Sequence, residues 1–319
     1  MSQLKVSVII PNYNHSSYLK ERIDSVLNQT YKNFEVIILD DCSTDDSIKI
    51  IDGYKTNSKV SNIIYNEINS GSTFKQWNKG ISLAKGDWIW IAESDDVADP
   101  ALLQKLMQAV LTNENIVLSY CQSLKIDEIG EITGSWRDQT MASTRDFDRD
   151  FIAKRNEFIK SDLIHQNVIP NASAVVFKKS TFLAVNKADE DIKYNSDWLL
   201  WLKILTKGDV SFTADALNKF RYHEKSVIAT SKNMEKNAFK KKFDILMFER
   251  FLQYVDEPSI IKLIKAKLSY FSELEFRFLV NNNLEEGKIF FKKGLKYNKY
   301  KIKYILRNIN YIISIKCSQ

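Results

Sequence analysis

The sequence predicts an α/β protein: a mostly parallel, doubly wound sheet followed by a helical C-terminal region. Three observations carry this. Short apolar runs recur up to Cys121, segments of helical periodicity separate them, and beyond about residue 229 only helical patterns remain. Strands separated by helices of 10–15 residues are the pattern of βαβ units, which pair their strands in parallel.

The elements follow in order. The run "KVSVII" reads as a strand buried on both faces and breaks at Pro11-Asn12-Tyr13-Asn14. "SYLKERIDSVLNQ" carries Leu19, Ile23, Val26 and Leu27 at helical spacing, and "FEVIIL" is a second strand that runs into "DDCSTDDS". Ser43 and Asp46 there have capping-box spacing, which predicts a helix through about Ile51. "NIIYN" is a third strand, and "TFKQWNKGISLA" a helix with Phe74, Trp77, Ile81 and Ala84 on one face. "DWIWIA" is a fourth strand. Asp99-Pro100 supplies an N-cap and a first-turn proline for "ALLQKLMQAVL", and "IVLSYC" is a fifth strand. Further on, "ASAVVFKKSTF" reads as a strand, "SDWLLWLKILTKG" as a helix and "ALNKFRYH" as a last short strand. The three long helical patterns that follow place a boundary near residue 229, between a domain over 1–228 and a helical region over 229–319.

Composition narrows the class. Hydrophobic residues make up 44% and charged residues 27%, as in an ordinary globular protein. The net charge of +6 is concentrated at one end: from Lys288 to Gln319 there are nine basic residues and no acid. A basic tail on a nearly neutral body points to an acidic surface or partner rather than to nucleic acid. Cys42, Cys121 and Cys317 offer neither zinc spacing nor a disulfide framework, so a reducing, cytoplasmic location is expected. The N-terminus lacks the features of a secretory signal, and no stretch approaches the ~18 uncharged apolar residues of a membrane span.

In an open parallel sheet, ligands bind beyond the carboxyl ends of the strands. Three polar clusters fall there: Pro11 to Asn14, Asp40-Asp41, and Glu93 to Asp96. Each alone is also explained by turn formers and helix caps. Together, adjacent carboxylates at one sheet edge suit a hard divalent cation, which completes its shell with phosphate oxygens. Neither a dinucleotide fingerprint nor a P-loop is present.

These residues resemble a family. "VSVIIPNYNHSSYLKERIDSVLNQTYKNFEVIILDDCSTDDS", the Asn69–Gly71 element, "NKGISLAKGDWIWIAESDD" and the later "SDW" are similar to the family 2 glycosyltransferases, over roughly residues 4 to 228. The resemblance implies a GT-A-type, Rossmann-like sheet, with the helical C-terminal subdomain outside the signature. It also implies roles: Pro11 and Tyr13 line the nucleobase pocket, Asp41 accepts a hydrogen bond from the base, Asp95 approaches the ribose, Asp96 holds the metal, and Asp197 is the catalytic base of inverting enzymes. Two departures stand out. Glu93 replaces a frequent aspartate, and "KQWN" replaces "ARN", which leaves Lys75 or Lys79 to meet the diphosphate. Arg221 and His223 alternate after the last strand as in an "R-x-H" element and are further diphosphate or acceptor candidates.

The expected activity is transfer of a sugar, with inversion and with Mn2+ or Mg2+, from a nucleotide-sugar. The donor leans to a UDP-sugar, and the acceptor to a hydroxyl of a saccharide or lipid-linked saccharide in cell-surface polysaccharide biosynthesis. The alternatives are a nucleotidyltransferase, which would need a Gly-rich basic loop that "PNYNHSS" lacks, and an inactive nucleotide- or carbohydrate-binding module. His165, Asn167, Asn171 and Ser173 are weaker acceptor-pocket candidates. Trp77, Trp88, Trp90 and Trp201 read as core, and Trp136, in a polar segment, as a sugar-stacking platform. The basic tail reads as a packed helical subdomain with solvated lysines, or as a peripheral contact with the anionic inner face of the plasma membrane.

Overall fold

The N-terminal apolar run forms β1 (Val6–Asn12), buried along all seven residues. A strand covered on both faces needs a layer on each side, and the connecting helices supply them. β2 (Phe34–Asp40) is equally buried, whereas β3 (Val60–Tyr65) is only half covered, as the edge of the sheet. Together with β4 (Trp88–Ile91) they pair in parallel in the order β3-β2-β1-β4. The crossovers are α1 (Ser16–Leu27), α2 (Ser47–Asp52) and α3 (Thr73–Leu83). α3 lies close on the sheet at Gly80, where a Cβ would stand 2.4 Å from Ile9 Cγ2 and 2.8 Å from Leu39 Cδ1. A computed structural model describes residues 4–141, 143–169, 171–192, 195–223, 240–280 and 284–317.

The second half of the sheet is mixed rather than parallel. β5 (Val97–Ala98) leads into α4 (Leu102–Thr112) and then β6 (Ile116–Ile126). β7 (Ile132–Ser135), β8 (Phe151–Ala153), β9 (Val175–Lys178) and β10 (Asp209–Arg221) complete a ten-stranded sheet. β9 inserts antiparallel between β4 and β6, and β10 runs parallel to β6 and antiparallel to β5 and β8. The sequence reading missed β5, β7 and β8, which are two to four residues long. It also shortened β10, whose first half is joined to the second across register shifts between Thr213 and Asn218. α5 (Arg155–Phe158), α6 (Lys179–Ala184) and α7 (Ser196–Leu205) flank these strands in the chain.

The capping box at Ser43 does not form. Asp45 Oδ1 accepts the Ser47 N–H at 3.0 Å, while Ser43 Oγ accepts the Asn14 N–H at 2.9 Å and so ties the first two strand ends together. Asp99 does not cap α4 either: its Oδ1 accepts the Ala101 N–H at 2.8 Å in the turn before the helix, which starts at Leu102 with Ala101 at the N-cap, so Pro100 precedes the first turn.

The chain divides into two compact units, residues 1–191 with 196–223, and residues 192–195 with 224–319. The boundary expected near residue 229 lies outside the described residues. The second unit contains α8 (Lys240–Phe251), α9 (Pro258–Leu279), α10 (Leu284–Tyr297) and α11 (Lys301–Cys317). Its core includes Phe248, Ile260, Ile264, Leu268, Phe276, Phe290 and Tyr304. Among the described residues, no helix is long and apolar enough to cross a membrane.

Candidate active site

Parallel pairing brings the three polar clusters to one edge. Asn12 stands opposite Asp40 in the β1–β2 register and donates from Nδ2 to Asp40 Oδ1 at 2.8 Å. On the other flank, the Ala92 N–H reaches Ile9 O at 2.8 Å, so the Glu93–Asp96 turn leaves the sheet beside the Pro11–Asn14 turn. Pro11 is buried in β1, and Tyr13, two residues on, is exposed beyond the strand end.

Asp41 is held from three directions. Its Oδ1 accepts Asn66 Nδ2 at 2.6 Å, Ser70 N at 2.9 Å and Gln76 Nε2 at 2.9 Å, and Oδ2 accepts Ser70 Oγ at 2.7 Å. This fixes the carboxylate next to the loop at Asn69–Gly71, where Gly71 takes a φ of 70° that favours glycine. Lys75 and Lys79 are tied to the same loop. Lys75 Nζ donates to Ser70 O at 3.1 Å and Lys79 Nζ to Asn66 Oδ1 at 2.5 Å.

The acidic turn is organised by a buried arginine that the sequence reading passed over. Arg22 sits among Leu19, Ile23 and Val26 on the inner face of α1, fully buried. Its Nε donates to the Glu93 carbonyl at 2.7 Å, and Nη2 lies 3.8 Å from Asp96 Oδ2. Asp96 is turned inward: Oδ1 accepts the Arg221 N–H at 3.0 Å, and burial, then the neighbouring Asp95 charge, pushes its carboxyl up to about 7. Glu93 accepts Trp77 Nε1 at 2.7 Å, and its N–H donates to Ser173 Oγ at 3.1 Å. Burial and then Asp95 push its carboxyl up to about 8.

Asp95 faces the other way. Its Oδ2 lies 3.1 Å from His223 Nε2, and His15 contributes a second imidazole. One ligand atom from each of His15, Asp95 and His223 falls within 4.8 Å of the others. Ser94 Oγ lies 2.8 Å from His15 Nδ1 and helps to orient that ring. Burial would raise the Asp95 carboxyl, but the His223 hydrogen bond and the two imidazoles bring it below the ordinary range. An oxygen and two imidazole nitrogens fit a divalent transition ion better than Mg2+, which prefers oxygen alone. Among the described residues, the cluster that could hold a cation contains Asp95 with the two imidazoles, and Asp96, the metal ligand expected from the sequence, lies outside it.

Arg221 also takes a different part. Its Nε donates to Asp95 O at 2.8 Å and Nη1 to the Asp127 and Glu128 carbonyls at 3.0 and 3.2 Å. Nη2 pairs with Glu21 at 2.7 Å, and the group lies 4.8 Å from the Tyr18 ring centroid. A buried guanidinium so engaged holds the turn through its present partners. His223 shares its side of the chain, as the alternation implied, with its ring 5.3 Å from that of Tyr18.

Asp197 opens α7, and burial raises its carboxyl above the ordinary range. Trp201, one turn on, stacks 6.4 Å from Trp77, which in turn holds Glu93, so this face of α7 is joined to the acidic turn. Asn167 Nδ2 lies 3.5 Å from Asp197 Oδ2. His165 is exposed, and Asn171 caps the turn before β9 by accepting the Ala174 N–H at 3.0 Å. Trp136 is no stacking platform. It is buried against Phe220 and Tyr222, at 5.4 and 6.1 Å between ring centroids. The four tryptophans expected in the core are there.

The sequence profile described as Glycosyl transferase family 2 matches residues 7–168. The glycosyltransferase GlyG of Streptococcus pneumoniae serotype 4 is 40% identical over 110 residues, which span only 34% of this chain and 36% of that relative. An uncharacterized glycosyltransferase of Haemophilus influenzae is 27% identical over 97% of this chain and 92% of its own length. Among solved structures, S. aureus TarS 1–349 in complex with UDP-GlcNAc is similar at a TM-score of 0.64 and 18% identity, covering 92% of this chain and 80% of that one. The mannosyltransferase PcManGT of Pyrobaculum calidifontis, in complex with GDP-Man and Mn2+, is similar at 0.59 and 13%, covering 98% and 81%.

Proposed function

Because the chain belongs to glycosyl transferase family 2 and has a GT-A-type fold, we propose that it transfers a sugar, with inversion and in the presence of Mn2+, from a UDP-sugar to a hydroxyl of a saccharide or lipid-linked saccharide in cell-surface polysaccharide synthesis. The observation that carries the reading is the meeting of Asp95 and His223, at 3.1 Å, beside the nucleotide-binding edge of the sheet. TarS with UDP-GlcNAc and PcManGT with GDP-Man and Mn2+ support a nucleotide-sugar donor and a divalent ion.

The parts of Asp41, Pro11, Tyr13 and Asp197 follow the family resemblance, and that of Asp95 with the two histidines follows their grouping. Asp41, fixed by four hydrogen bonds, orients the nucleobase, with Pro11 and Tyr13 as the wall. Asp95 and His223, with His15, hold the cation. When bound, the ion offsets the charge that grows on the departing diphosphate. Arg22 and Arg221 hold the backbone of the acidic turn so that Asp95 stays outward. Asp197 takes the proton of the acceptor hydroxyl as that oxygen attacks the anomeric carbon and the bond to the diphosphate breaks. The raised affinity of its carboxyl for protons suits a general base. A single base and a single displacement give inversion. Lys75 and Lys79 are the cations closest in the chain to the donor loop and serve the diphosphate if it displaces their present carbonyl partners.

The test is a panel of UDP-, GDP- and dTDP-sugars assayed with Mn2+ for hydrolysis and transfer. UDP-sugar turnover that is lost in Asp95→Asn and His223→Ala supports the reading. Turnover that is unchanged in both variants, or absent with every donor, refutes it.

A further inference from the structure

We propose that the outer face of α11 docks on an anionic membrane surface. The inner face is accounted for by packing. Tyr304 and Asn308 are buried, and α11 approaches α10 so closely that a Cβ on Gly294 would overlap the Tyr304 ring. On the opposite side, Ile302, Leu306, Ile309 and Ile313 are between 45% and 75% exposed. Steps of four, three and four residues set them in one stripe along the helix. α11 is therefore apolar on two opposite sides, and nothing among the described residues covers the outer one.

Charge says what does. Between Lys288 and Gln319 there is no acidic residue. Arg307 is neutralised by Glu273 of α9, and Lys293 by Glu249 of α8. Lys299, Lys301 and Lys303, at the start of α11, are exposed and form no ion pair among the described residues. An aliphatic stripe beside unpaired lysines is the pattern of a helix lying in a lipid headgroup layer: the stripe enters the acyl boundary and the lysines meet anionic headgroups. Their long stems let the charges stay at the surface while the stripe sinks. A second copy of the chain fits less well. It would bring like-charged lysines together, and four partly exposed side chains fall short of the ~800 Å² that each partner buries in a stable interface. The face belongs to the second unit and the donor-site residues to the first, so the proposal is tested independently of the sugar transferred.

The experiment is co-sedimentation of the full chain with vesicles of phosphatidylcholine alone and of phosphatidylcholine with an equal part of phosphatidylglycerol. Binding should be at least about tenfold tighter to the anionic vesicles and should weaken with salt. A variant carrying Ile302→Ser, Leu306→Ser, Ile309→Ser and Ile313→Ser should lose about tenfold or more at unchanged helicity and unchanged donor hydrolysis. A second variant, Lys299→Gln with Lys301→Gln and Lys303→Gln, should lose the preference for anionic vesicles while it keeps the fold. The proposal is overturned by a wild-type chain that stays in the supernatant with both vesicles. It is equally overturned by undiminished binding of the serine variant, or by a self-association that the serine changes abolish without any vesicle binding.

Discussion

Replacing Arg22 by Met should weaken the first unit by several kcal/mol, although the side chain touches no solvent and no expected ligand. Methionine keeps most of the volume, so packing changes little. What is lost is electrostatic. The Nε hydrogen bond to the Glu93 carbonyl, at 2.7 Å, is charge-assisted and contributes about 1.5–3 kcal/mol. The attraction to the ionised form of Asp96 across 3.8 Å amounts to at most roughly 4 kcal/mol at an effective dielectric of about 20, and is present in full only above the raised Asp96 pKa of about 7. Against this, burying a guanidinium costs several kcal/mol, which is why the Arg22 pKa is lowered, and the variant regains that cost. The net expectation is a loss of about 3–5 kcal/mol, the usual result of stranding one partner of a buried pair. All six tryptophans lie in the first unit, so intrinsic fluorescence during urea unfolding reports on that unit. The midpoint should fall by about 1–2 M. Lys20→Met, which breaks an exposed pair with Asp24 on the same helix, should change stability by less than about 1 kcal/mol. Asp96→Asn keeps an acceptor for the Arg221 N–H, so the double variant Arg22→Met/Asp96→Asn should be more stable than Arg22→Met alone. A midpoint within error of wild type, or strictly additive changes, would refute this account of the turn.

Further outcomes are expected elsewhere in the molecule. Asp197→Asn should lower transfer by about 10²–10⁴-fold while UDP-sugar binding, measured by calorimetry, stays near wild type. Since burial raises the Asp197 carboxyl, the acidic limb of the rate profile should lie above the ordinary aspartate range, activity rising with pH as the base ionises; a limb at the ordinary value would contradict the assignment. Glu275 is buried in α9, and burial, then Glu286, pushes its carboxyl up to about 7. A carboxyl raised in this way contributes stability that is present below about pH 4.5 and lost as pH rises through about 7. Glu275→Gln should therefore stabilise the second unit by about 1–3 kcal/mol at pH 8 and much less at pH 5, read by amide exchange in α9. Trp77→Phe removes the Glu93 partner at 2.7 Å and should cost about 1–3 kcal/mol by urea unfolding; an unchanged midpoint would contradict this role of the hydrogen bond.

Much of this was readable from residue order because local physics wrote it there. "KVSVII", "FEVIIL" and "WIWI" are short, mainly apolar runs of the kind a strand buried on both faces needs, and the polar Ser7 and Glu35 within them meet each other at 2.7 Å. β5 has two residues and β7 is largely exposed, so neither leaves a pattern that periodicity can detect. The polar clusters were visible as motifs, and the rule for parallel sheets put them at one edge. The direction of each carboxylate was not. Asp95 and Asp96 are adjacent in a turn, and which one faces inward is decided by Arg22, 74 positions before Asp96, and by Arg221, 125 positions after it. Arg22 had one visible signal, a charged residue on the apolar stripe of Leu19, Ile23 and Val26, whereas His15 had none beyond its place in the turn after β1.

The central claim is that Asp95 and His223 bind the cation that a nucleotide-sugar needs. Calorimetric titration of UDP into the full chain, with and without Mn2+, tests it most directly. The account predicts that Mn2+ tightens UDP binding in the wild type, that Asp95→Asn and His223→Ala abolish the Mn2+-dependent gain, and that both variants retain the metal-free affinity set by Asp41. An undiminished gain in both variants would contradict it.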